Sequence, residues 1–127
     1  MPETVSWSYN VRAVSGPALA NSGTLDVDAY QKLNVPVTAG ATQDVTVAPG
    51  TWADVLSLVI TASSLNGDVQ IMPDGAAAAF PLDGPLLLFG GGAVSLLGTG
   101  DATVSIANTG ATDVTVDIFV TRDATPP

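Results

Sequence analysis

Alternation of apolar and polar side chains limits this chain's folds more than any other feature, and it is clearest over residues 103–120. Val104 and Ile106 fall on one side of an extended backbone, with Thr103 and Ser105 on the other. Further on, Val114, Val116, Ile118 and Val120 share one face, while Asp113, Thr115 and Asp117 share the opposite one. A period of two belongs to strands with one face in a core and the other in water. Between the runs, Asn108-Thr109-Gly110 supplies residues that tolerate the positive φ of a tight loop. The stretch therefore predicts two β-strands joined as a hairpin.

Similar runs recur along the chain. Thr4 to Val14 predicts a strand with Val5, Trp7, Tyr9 and Val11 on one face, the aromatics covering one end of the core. Ser15-Gly16-Pro17 stops it, and Ala18 to Gly23 reads as a small-residue loop. Strands follow at Thr24 to Tyr30 and Lys32 to Thr38, with Pro36 marking a sheet edge or bulge because proline cannot donate to a ladder. Gln43 to Ala48 is another. Asp54 to Ala62 is apolar almost throughout, as in a central strand covered on both faces. Val69 to Met72 is a short strand bounded by Asn66-Gly67-Asp68 and Pro73-Asp74-Gly75. Ala76 to Ala79 has room for one helical turn between breakers. The total is about eight to ten short strands, the pattern of an antiparallel β-sandwich of jelly-roll type. Residues 1–121 form one such domain, and residues 122–127 a frayed tail.

Composition narrows the chemistry. At 127 residues and 12.7 kDa the average side chain is small, which suits Val/Thr/Ala/Gly-rich pleated sheets. Eleven aspartates and Glu3 face only Arg12, Lys32 and Arg122, for a net charge of −9. A phosphate backbone or an anionic membrane surface needs clustered cations, so neither is an expected partner. Residues 1–20 lack a basic start followed by an apolar run, so no secretory signal is expected. No apolar stretch is long enough to cross a bilayer as a helix.

Candidate chemistry is thin. The chain has neither histidine nor cysteine, which removes the commonest general base and the thiol nucleophile. Lys32 is the sole lysine and sits in a strand-like context. The carboxylates lie on polar strand faces or in turns, where solvation explains them without glycosidase chemistry. Asp26 and Asp28, and the turn residues Asp68, Asp74 and Asp101, have the oxygen chemistry of calcium ligands. They match no calcium-binding loop or repeat, and turn aspartates ordinarily bond their own backbone. Gly90-Gly91-Gly92 has no Lys-Ser/Thr after it and is not a phosphate loop. The expectation is a non-enzymatic protein without cofactor or metal.

One block invites a partner. Residues 80–97 display Phe80, Leu82, Leu86, Leu87, Leu88, Phe89, Val94 and Leu96 with a single charge, Asp83. Strands apolar on both sides must be covered on both sides. An ordinary core or a second chain would each supply that cover, and the second option makes these eight residues a candidate oligomer or partner interface. Trp52, after Pro49-Gly50-Thr51, is the best candidate for stacking a sugar ring if it is exposed.

Taken together, the Val/Thr/Ala/Gly-rich strands, the Asn108-Thr109-Gly110 loop, the missing Cys and His and the acidity resemble the small all-β virion proteins of tailed bacteriophages, especially capsid decoration or cement proteins. That resemblance implies a β-sandwich, often trimeric, made in the host cytoplasm and bound to the outer face of a virion shell, with itself and the major capsid protein or another virion protein as partners. A carbohydrate- or receptor-binding β-sandwich of a fibre or spike, using Trp52, is the alternative.

Overall fold

The computed structural model describes residues 3–75 and 78–123. The strands are β1 (Glu3–Arg12), β2 (Ala18–Val27), β3 (Ala29–Val37), β4 (Thr42–Thr51), β5 (Val55–Ala62), β6 (Val69–Pro73), β7 (Phe80–Pro81), β8 (Leu86–Phe89), β9 (Asp101–Asn108) and β10 (Val114–Arg122). A 3₁₀ turn, Trp52–Asp54, links β4 to β5. A single helical turn, α1 (Gly91–Val94), continues through Ser95–Leu97 toward β9. Two four-stranded sheets, β3-β10-β5-β8 and β4-β9-β6-β7, face each other, and β1 and β2 form a separate two-stranded ribbon. The protein is an antiparallel β-sandwich.

The pairing is nested. β3 pairs with β10, β4 with β9, β5 with β8 and β6 with β7, all antiparallel. Further pairings of β10 with β5 and of β9 with β6 complete the two sheets. β3, an edge strand, carries Pro36, where the missing N–H costs no ladder bond.

Alternation puts one face of every sandwich strand inside. Leu33, Ile118, Ile60 and Leu86 stand in one rank across all four strands of the first sheet. Ile106, Ile71 and Phe80 form a rank on the second. These residues belong to one hydrophobic core with Trp52, Val94 and Leu97. Each fully buried Val, Leu or Ile contributes about 1.5–3 kcal/mol relative to exposure, so many medium-sized side chains do the work that few large ones do elsewhere.

Three expectations are corrected. β9 and β10 have the expected strands and faces but are not a hairpin: each belongs to a different sheet. The 108–113 connection is a corner that carries the chain across the sandwich. Asn108, buried at its start, donates from Nδ2 to the carbonyls of Val37 and Thr112, and its Oδ1 accepts from the Gly110 N–H. Gly110 serves close approach rather than positive φ, since a Cβ there would stand 2.5 Å from Asp68 Oδ2. The second correction concerns Ala18 to Gly23, which is strand rather than loop and returns antiparallel to β1 from Arg12↔Ala18 to Glu3↔Val27. Third, the β1 aromatics lie on an outer sheet face and not on an end of the core, as described next. Of Ala76 to Ala79, residues 76 and 77 lie outside the described residues, as do residues 124–127 of the expected tail, whereas Arg122 is still in β10.

Candidate interaction surface

The ribbon of β1 and β2 is an arm laid on the outer face of the β3-β10-β5-β8 sheet. Its inward side carries Val5, Trp7, Tyr9 and Val11 on β1, with Leu25, Gly23, Asn21 and Leu19 opposite them on β2. Trp7 stacks on Phe89 of β8, with ring centroids 5.0 Å apart and planes within 9°, and on Tyr9 at 6.1 Å. Gly23 makes this possible, because a Cβ there would sit 2.6 Å from Trp7 Cζ2. A groove of about 340 Å³ runs between arm and sheet, walled by Val5, Trp7, Leu25, Val59, Phe89 and Phe119. Ser57 also lines it and is buried with Thr121, and their hydroxyl oxygens lie 2.6 Å apart in a hydrogen bond. Two hydroxyls that satisfy each other carry little desolvation cost where either alone would carry a large one.

Only the base of the arm is covered in this way. Toward the tip the same apolar side continues, but Val11 is 64% and Leu19 63% exposed, and Val14 in the turn is fully exposed. The tip also carries Arg12, the sole charged residue between positions 4 and 25.

Residues 80–97 divide differently from the expected interface. Leu82 and Val94 are buried in the core, and Phe80, Leu86 and Leu88 pack against it. Phe89 lies under Trp7. Leu87, 45% exposed, and Leu96, 81% exposed, are the two of the eight that offer substantial surface. The reason is geometric. β8 is an edge strand whose inner side faces the core, and the chain's own arm covers Phe89 on its outer side. Trp52 is 1% exposed, with its ring inside the core, so it offers no face to a sugar. Its Nε1 has no acceptor among the described residues.

The candidate calcium ligands do not converge. Asp26 accepts a hydrogen bond from Thr4 Oγ1 across the arm, and Asp74 Oδ2 accepts from the Asp101 N–H. No group of three or more acidic, Cys or His side chains comes together among the described residues. No helix among them is long and apolar enough to cross a membrane.

The arm is the feature that residue patterning missed. Its signal was present: an alternating strand, a Ser-Gly-Pro turn and a return of equal length ending in alternating Leu25 and Val27. Alanines, Asn21 and Gly23 diluted the apolar pattern of the return. Compared with protein-family models, curated proteins and solved structures, the chain matches none of them.

Proposed function

We propose that this chain is a non-enzymatic structural protein of a virus particle, a decoration (cement) protein that self-associates and binds the outer surface of the shell. The observation that carries the reading is the arm, half of whose apolar side projects past its own sandwich at Val11 and Leu19. Such a device suits a subunit that gains its remaining cover from a neighbour. The nested pairing of β3 to β10 supports the same reading, being compatible with jelly-roll winding, an architecture used by viral capsid and lectin domains. With Trp52 in the core, the carbohydrate reading loses the residue it depended on.

The mechanism is passive. Copies bridge neighbouring shell subunits, each contact burying about 800 Å² per partner. Repetition over the lattice multiplies the work needed to open the shell, as multivalent binding does. The surplus of aspartate over cations holds finished particles apart. Leu87 and Leu96, the exposed members of the 80–97 block, are the residues assigned to the shell contact.

Immunogold labelling of purified particles with antibody to the chain tests the reading. Label on the shell surface is expected, and retention of added purified protein by stripped particles should fall in a chain carrying Leu87→Asp and Leu96→Asp. Particles that carry no label and retain no added protein would remove the proposal.

A further inference from the structure

We infer that the tip of the arm docks into an acidic groove on the second sheet of another copy of this chain, so that copies join head to tail. The inference rests on the self-association proposed above and names its interface.

The groove lies on the outer face of β4-β9-β6-β7. Asp44, Ser105 and Met72 stand in one rank across β4, β9 and β6. With Pro73, Asp74 and Thr103 they line a depression of about 290 Å³. Met72 is exposed and adds an apolar side chain to a groove that Asp44 and Asp74 also line. The arm tip offers the complement: Val11, Val14 and Leu19 are exposed, and Arg12, paired with Ala18 at the end of the ribbon, is exposed on its other face.

Charge identifies the occupant. Residues 4–25 hold Arg12 and no acid, whereas residues 28–127 hold ten aspartates against Lys32 and Arg122. Glu3 and Asp26 sit at the covered base of the arm, so its distal part, with Arg12 alone, is the stretch that the acidic remainder of the chain attracts, and complementary potentials of this kind set orientation and speed encounter. A copy cannot fill its own groove. Its arm lies on the outer face of β3-β10-β5-β8, and the groove opens from the other side, with the thickness of the sandwich between them. Each copy therefore gives one tip and receives one. A contact between two different patches closes into a ring when the rotation permits.

Light scattering on the full-length chain at pH 7 and low salt tests the proposal, with a circular dichroism melt on each variant to confirm folding. The wild-type chain is expected to be a stable oligomer. Arg12→Glu puts like charges together and should weaken association at least about tenfold, and Leu19→Ser should weaken it as well. Adding Asp44→Arg to the Arg12→Glu chain should restore the oligomer. An oligomer whose mass ignores Arg12→Glu and Leu19→Ser overturns this interface and leaves self-association standing. Failure of Asp44→Arg to rescue overturns the groove as the receiving site. A wild-type monomer at high concentration overturns both this interface and self-association, while particle labelling still reports on shell binding.

Discussion

Asn108 closes the corner between the sheets with a side chain whose donors and acceptor are all engaged. Its amide bonds hold the ends of β3 and β9 and the start of β10 in one cluster, through Val37, Gly110 and Thr112. Its main chain does the same, donating to the Ala41 carbonyl and accepting from the Gly40 N–H. Asn108→Ala leaves two carbonyls and one N–H without that partner, the Val37 carbonyl in a buried bond and the Thr112 carbonyl and Gly110 N–H in part-buried ones. The expected loss is about 2 kcal/mol, because an orphaned buried polar group costs its full desolvation. Urea unfolding followed by tryptophan fluorescence reads it as a lower midpoint with unchanged slope. A corner that tolerates alanine without a shift would mean that water reaches these groups.

At the scale of elements, the arm depends on Gly23. Gly23→Val places a side chain where the Trp7 indole lies, so the ring must lift from Phe89. The sandwich core does not include the arm residues, apart from the nearby strand end at Val27. The variant should therefore keep its strand-type circular dichroism while Trp7 emission shifts to the red, Trp52 remaining as a buried reference. Alternation located the strands of the sandwich well, because a two-residue period depends only on which face is wet. β10 and the core positions Val104 and Ile106 were legible for that reason. Pairing was not, since Asn-Thr-Gly suits a hairpin turn and a corner equally and the difference lies in residues far away, such as Asp68 and Val37. The 80–97 block misled in a related way. Its apolar residues on β8 are covered from opposite sides, by the core and by an arm some eighty residues earlier in the chain.

For the molecule as a whole, electrostatics governs how copies meet. At neutral pH the net charge of −9 opposes unspecific clustering of a small-residue, largely apolar chain. With a sequence pI near 4.1, that protection vanishes as the pH approaches 4. Turbidity of a purified sample titrated downward from pH 7 should rise steeply there and clear again on return to neutral pH. Solubility unchanged across the isoelectric point would show that repulsion is not what keeps the molecules apart.

Nesting of the strands also sets an order of events during synthesis. Among the described residues β3 has β10 as its only sheet partner, so the sandwich stays open along the ribosome's output until Val114 and its successors emerge. The arm, by contrast, pairs strand to strand with itself across a five-residue turn, and both of its strands are synthesised before β3. An isolated two-stranded hairpin is marginally stable in water, so the arm gains its fixed place only when the β3-β10-β5-β8 face is there to receive Trp7. Assembly in the right order then depends on how fast the last strand is delivered.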